Sequence, residues 1–419
     1  MSKKEKFLES FIDCAPVTQI TQTIAQEALT ALQRLEIPST KDEYWKYTRL
    51  GKIVNNKYTQ GEPVKILSID EFKLPFETNL LVFINGFYSV EFSDIKDDAI
   101  KVKPFADGLK DDAEVSMKHF ANYADHNSQI FTALNTAYST NGAFVYSAKN
   151  SKGVFPVHIL NITTGENHST NPRNLFVAEQ GSEVTIINTF ETISGNAFIN
   201  SVTEIVVEEN AKVELQIIQD QSSNSRQVNT TEVVQKSSSI FSSGTFTFSG
   251  ELVRNNLNIS VDGKGCETNI NGLYITNGKQ HVDNHSFVDH KQPNCESNEL
   301  YKGILSDEST GVFNGKVFVN SIAQQTNAFQ QNQNILLSDD ANAYSKPELE
   351  IYADDVKCSH GSTTGQFDEE AVFYLRSRGI GEESARKLLV EAFASDVLDI
   401  VSIEALRNLL QSKIHDKLS

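Results

Sequence analysis

The sequence predicts a mainly β chain with helical ends, and three observations carry that reading. From Asn141 to about Tyr344, short runs alternate apolar and polar residues, the two-residue period of a half-buried strand. Asn, Gly, Ser and Asp clusters separate the runs, long helical periods are scarce, and tight hairpin dipeptides are few. A connection also recurs. Ala178-Glu179-Gln180-Gly181-Ser182-Glu183-Val184 and Val207-Glu208-Glu209-Asn210-Ala211-Lys212-Val213 both read strand, acidic corner, small residue, strand. An antiparallel sandwich and a parallel β-helix both fit such runs. The span exceeds one ordinary sandwich, and the recurring corner favours a solenoid of stacked rungs.

Residues 1–140 read as an N-terminal helical region with one hairpin. Ile20, Ile24, Ala28, Leu32 and Leu35 keep helical spacing, and Pro38 stops the run. Tyr44, Trp45 and Tyr47 suit core packing or a lid over a sheet end better than ligand stacking. Leu80–Ile84 and Phe87–Phe92, joined by Asn85-Gly86, read as a hairpin with a primed turn. Lys101 to Tyr138 mixes charge with helix-like spacing, including Phe120, Phe131 and Leu134.

Residues 141–360 hold the β core. Its runs include Ala143–Tyr146, Val157–Leu160, Leu175–Ala178, Val184–Phe190 and Val213–Ile218, and later Phe241–Phe248, Thr268–Tyr274 and Asn334–Leu337.

Residues 361–419 read as a helical, partner-docking tail. Gly361 and Gly365 mark a turn, and Phe367, Ala371, Tyr374 and Leu375 form a helical stripe. Asp368 suits the N-cap, Glu369 and Glu370 the first turn, and Gly379 the end. A second stripe carries Ala385, Leu388, Leu389, Ala392 and Phe393. Ser402 suits the cap of a third helix, with Ile403, Leu406, Leu410 and Ile414 spaced along it. Such an appendage suits sealing the solenoid end or facing a partner.

The 419 residues suffice for two or three domains and a large core. The net charge of −18 argues against nucleic acid and anionic membranes as partners. The four cysteines, Cys14, Cys266, Cys295 and Cys358, show no CxxC pairing. A disulfide framework is therefore not expected, which fits a reducing cytoplasm. No secretion signal stands in residues 1–30, and no run is apolar enough for a membrane helix, so the chain reads as soluble and cytoplasmic.

No phosphate loop is present, since Gly263-Lys264 and Gly315-Lys316 lack the rest of that motif. ATP hydrolysis by this chain alone is not expected. His281, His285, His290 and Cys295 lie close in sequence, but in an extended chain His285 and His290 have opposite parity. Structural roles suit them better than a shared metal. Cys14 and Cys266 read as unreactive.

The pair Cys358 and His360 is the strongest chemical candidate. Leu349–Ala353 alternates like a strand, and if the chain stays extended both side chains point to one face. A neighbouring His can favour the thiolate, the form that binds iron and receives sulfur. A cysteine hydrolase would need an oxyanion hole and an orienting partner, which the sequence does not supply. A structural seam pair is the competing reading.

The stretch Leu349 to Gly361, LEIYADDVKCSHG, followed by Asp368 to Ile380, DEEAVFYLRSRGI, resembles the SufB/SufD family of iron–sulfur cluster assembly scaffolds. So do Asp42–Thr48, His281–His285, Tyr301–Leu305, Phe313–Lys316 and Gln333–Leu337. Gly361 stands where SufB-type members usually carry Glu, which favours the SufD type. The resemblance implies a right-handed parallel β-helix flanked by helical ends. It implies a non-enzymatic scaffold that pairs with a SufB-like subunit and docks a separate SufC-like ATPase. A nascent cluster would be shared with the partner near His360 and Cys358, and the isolated chain, a possible homodimer, would hold none. Asp368, Phe373, Tyr374, Arg376, Arg378 and Gly379 would lie on the ATPase-docking surface. The readings from other classes are a β-helix enzyme acting on polysaccharide and a homodimeric structural protein without cluster chemistry.

Overall fold

The computed structural model describes residues 2–11, 19–139, 141–366 and 369–418. Helices α1 (Lys3–Glu9), α2 (Gln19–Arg34) and α3 (Gly51–Val54) come first, followed by strands β1 (Thr59–Gln60), β2 (Asn79–Ile84), β3 (Phe87–Tyr88) and β4 (Ile100–Pro104). Helices α4 (Phe105–Asp111), α5 (Ala113–His119) and α6 (Ile130–Tyr138) close this part. Then come β5 (Ala143–Ser147), β6 (Val157–Thr170), β7 (Arg173–Ala178), β8 (Glu183–Val207), β9 (Lys212–Asp220), β10 (Arg226–Gln235), β11 (Ile240–Thr247) and β12 (Leu252–Val261). β13 (Glu267–Thr276), β14 (His281–His290), β15 (Glu296–Leu305), β16 (Thr310–Val319), β17 (Thr326–Leu336), β18 (Asn342–Ile351) and β19 (Val356–Gly365) follow. The tail holds α7 (Glu369–Ser377), α8 (Glu382–Ser395) and α9 (Glu404–Lys417).

The strands coil into a parallel β-solenoid of about 8 turns, as the recurring corner predicts. One face stacks β2, β6, the first part of β8, β9, β11, β13, β15, β17 and β19. The other stacks β5, β7, the second part of β8, β10, β12, β14, β16 and β18. β8 passes from one face to the other, so the described strands form a single 19-stranded sheet. Alternate residues of each strand turn inward. The bore is filled with Ile, Val, Leu and Phe, among them Ile186, Ile205, Leu215, Phe241 and Ile259. Each such side chain contributes about 1.5–3 kcal/mol on burial.

One corner repeats with little change along the whole stack. Asn150, Gly181, Asn210, Ser238, Gly265, Asn294 and Gln325 all take left-handed backbone there. Asn and Gly accept that conformation most readily, which explains the small residue that the sequence shows. Each amide at the corner reaches the next turn: Asn150 N to Gln180 O, Gly181 N to Glu209 O and Asn210 N to Ser237 O. Ser238 N to Lys264 O, Gly265 N to Pro293 O, Asn294 N to Gln324 O and Gln325 N to Asp355 O continue the row.

The helical ends clothe the outside. α2 and α6 bury Ala28, Leu32, Phe131 and Leu134 against Phe198, Val228 and Leu252. Trp45 joins this core, its ring 5.6 Å from Phe131, whereas Tyr44 and Tyr47 remain exposed. The tail does not seal the solenoid end. α8, α9 and the turn between them lie on the flank, with Val390, Ala394, Leu406, Leu410 and Ile414 packed on Ile218, Phe246, Leu273 and Ile304.

Several local expectations are corrected. The hairpin is real, with Asn85 and Gly86 both left-handed, but β3 keeps only Phe87 and Tyr88. Lys101 to Pro104 is strand, because β4 pairs antiparallel with β5. In α8 the buried face is Ala385, Val390 and Ala394, while Leu388 is exposed. Ser402 caps nothing: α9 starts after Ile403, and the Ser402 amide donates to Glu214 instead. In α7 Val372 is the buried residue and Tyr374 is exposed; Phe367 and Asp368 lie outside the described residues. No described helix is long and apolar enough to cross a membrane.

Candidate functional site

The last turn of the solenoid is its only bare one among the described residues. β18 pairs with β16 alone and β19 with β17 alone, so both outer edges carry no described strand. β19 is extended throughout, which places Cys358 and His360 on one side, as strand alternation predicts. That side faces the bore. Cys358 stands in register with Ala328 and packs near Val317, Val319 and Ala353. His360 stands in register with Gln330, is exposed, and has no hydrogen bond among the described residues.

The thiol behaves differently from the expectation. Burial pushes Cys358 up, and a backbone contact at Ala328 only partly opposes this. His360 contributes nothing to it, because the two side chains occupy successive inward positions rather than a hydrogen-bonded pair. The pair is therefore a half-buried neutral thiol beside an exposed imidazole.

Beneath His360 runs a polar column that sequence reasoning missed. Gln330 Nε2 donates to Glu299 Oε2 at 2.6 Å, 31 residues away along the chain, one full turn. Glu299 is fully enclosed, and burial pushes its carboxyl up to about 7. Ser362 donates to Ser345 across the mouth at 2.7 Å. The signal was present: Ile270, Glu299, Gln330 and His360 are stacked partners at near-constant spacing. Reading it requires the length of the turn, which no single strand reveals.

The histidine cluster resolves by parity. β14 is a regular strand, so His281, Asp283 and His285 face outward and His290 inward, 2.9 Å from Ser297 Oγ. The outward group anchors the N-terminal segment. Thr48 donates to Asp283 and sits 2.8 Å from His281 Nε2. Arg254 pairs with Asp283 at 2.5 Å and lies 4.3 Å over the Trp45 ring. Burial alone would raise Asp283; the guanidinium and His285 overcome it and hold the carboxyl well below the usual range. Burial pushes His281 and His285 down. Cys295 belongs elsewhere, buried on the corner beside Cys266, where both thiols meet Gly263 O. Cys14 lies outside the described residues.

On the tail, Phe373 is 72 % exposed and Tyr374 57 %, a large apolar surface for one short helix. Arg378 lies 5.3 Å over the Tyr374 ring, and Arg376 pairs with Glu382 at 3.1 Å. Gly379 ends α7 at φ +89. Asp368 lies outside the described residues.

Two family descriptions match this chain. "SUF system FeS cluster assembly, SufBD core domain" covers residues 161–393, and "SufBD protein N-terminal region" covers residues 9–159. An iron–sulfur cluster assembly SufBD family protein of Synechocystis sp. is 34% identical over 402 residues, 92% of this chain and 88% of the relative. The iron–sulfur cluster assembly protein SufD of Escherichia coli is 28% identical over 404 residues, 94% of this chain and 92% of the relative. A chloroplastic protein of Arabidopsis thaliana is 30% identical over 411 residues, 94% and 85% of the two chains.

Proposed function

The chain belongs to the SufBD family of iron–sulfur cluster assembly proteins, and from that premise we propose that it is a SufD-type, non-ATPase scaffold subunit. It pairs through its last turn with a SufB-like solenoid and carries a SufC-like ATPase on its tail, in a reducing cytoplasm. The bare last turn supports this reading best. An exposed pair of strand edges invites another chain to continue the sheet. Natural solenoids usually close such an edge themselves.

The ligand inventory at the mouth supports a shared site. An iron–sulfur cluster takes four protein ligands, mostly thiolates. Here Cys358 and His360 share one face, and the other described cysteines, Cys266 and Cys295, are buried on the corner. Two ligands leave half the set to a partner. His360 is the more available, being exposed and unbonded, while the Cys358 thiol must first lose its proton against burial. As a cargo ligand, an imidazole also releases iron more readily than a thiolate does.

The test is iron and sulfide content of the purified complex alongside its subunit stoichiometry. His360→Ala should cut cluster content several-fold without loss of any subunit, and Cys358→Ser should act more mildly. The isolated chain should retain no cluster after anaerobic reconstitution. Wild-type cluster content in the His360→Ala complex would return the seam pair to a structural role.

A further inference from the structure

A cleft of about 550 Å³ lies on the outer face where β12, β14 and β16 begin, and it reaches Tyr344 of β18. Lys46, Arg49, Lys52 and Lys279 line it together with His281, and no lining residue is acidic. In a chain of net charge −18, this is a local reversal of sign. Two of the four cations are already matched: Lys52 stands 3.8 Å from Glu251, and Lys279 3.2 Å from Glu308. Lys46 and Arg49 have no ion pair among the described residues; Lys46 only overhangs the Tyr47 ring at 5.3 Å.

The backbone between them is fixed. Thr48, the buried residue that separates Lys46 from Arg49, is held by Asp283 and His281. That anchor presents both cations from one rigid turn, so little ordering is needed when an anion arrives. Tyr47 and Tyr344, stacked at 4.4 Å, wall one side, and Leu252 lies at the floor. A charge of two against a pair that includes an arginine fork suits phosphate oxygens.

We propose that this cleft binds a small phosphate anion, with Lys46 and Arg49 as the direct charged contacts. Lys52 and Lys279, already paired with Glu251 and Glu308, line the rest of the cleft. The site stands on the fold and is independent of the cluster chemistry at the mouth.

Titration calorimetry of the full chain with inorganic pyrophosphate at low ionic strength tests this. The wild type should bind saturably at one site. Arg49→Glu and Lys46→Glu should each weaken binding at least about 10-fold, because reversal turns attraction into repulsion. Lys264→Glu, an exposed reversal on the opposite corner, should change affinity less than about 2-fold. Matching circular dichroism melts establish that the variants fold. The proposal fails if the wild type shows no saturable binding up to about 10 mM, if either cleft variant keeps wild-type affinity, or if Lys264→Glu weakens binding equally.

Discussion

The two ends of the solenoid are finished differently. At the first turn, β2 is covered by β3 and β5 by β4, both antiparallel, so a short strand blunts each edge. α4 and the residue after α5 pack on the outer face of these first turns, burying Phe105 and Phe120 against Phe144, Leu175 and Val206. At the last turn no described strand covers β18 or β19, and nearly all of β19 is exposed. The same chain knows how to close an edge and does so only once. The difference leaves one end covered by its own chain and the other open to the contact proposed above.

The largest expected effect lies at the covered end. Arg173 and Glu204, both fully buried, pair at 2.6 Å, and Glu204 also accepts the amides of Ala121, Tyr123 and Ala124. Glu204→Ala leaves three amides without this acceptor and a buried guanidinium without its carboxylate, only Thr136 still accepting from it, so it should cost about 3–5 kcal/mol in urea unfolding. A loss below about 1 kcal/mol would mean that the covered end is no more firmly built than the bare one.

A slightly smaller effect follows from Glu299, just inside the mouth. Its folded value near 7 exceeds the ordinary 4.5, so the folded state holds the proton more tightly. The stability it contributes is complete below about pH 4.5 and is lost as pH rises through 7, about 3 kcal/mol in all. Glu191 and Glu232, each pushed up to about 8 by burial, act in the same direction. Glu299→Gln should therefore flatten the fall in stability between pH 5 and 8. Parallel pH profiles for variant and wild type would remove the proton from the bore.

The smallest stability effect belongs to the tail. Phe373→Glu should alter unfolding by less than about 0.5 kcal/mol, because the side chain is exposed. On the proposed docking, co-purification of a SufC-like ATPase with this variant should nevertheless fall. Undiminished binding would place docking elsewhere than on α7.

The sequence made the outlines of both ends readable, and the misses have physical causes. Cys358 and His360 were legible because strand alternation fixes which side chains share a face. β14 and β15 were passed over as strands because both sides carry polar residues. Asp283 and His285 serve the N-terminal anchor outside, while Asn284, Ser286 and Glu299 line the bore inside. The α8 stripe was misphased because Leu388 and Val390 are equally apolar. Only docking on the flank, with Lys302 reaching Asp396 at 2.6 Å and the Phe393 carbonyl at 2.8 Å, decides which one is covered. The Cys266–Cys295 neighbourhood needed the turn length, as Glu299 and Gln330 did.

The corner row has an electrostatic consequence. At each step the accepting carbonyl and the next donating amide belong to one peptide unit, as with Gln180 O and Gly181 N, then Glu209 O and Asn210 N. In a trans peptide these two groups point in opposite directions. The row is therefore a head-to-tail chain of amide dipoles, each about 3.5 D, running along the solenoid axis. Hydrogen bonds in such a chain polarise one another. Every N–H points from an earlier turn to a later one, so the positive pole faces the last turn. The row ends at Asp355 O, and the same peptide unit carries the amide of Val356, the first residue of the strand bearing Cys358 and His360. Negative charge close to the Val356 amide meets the favourable end of a dipole assembled from every corner between Asn150 and Asp355.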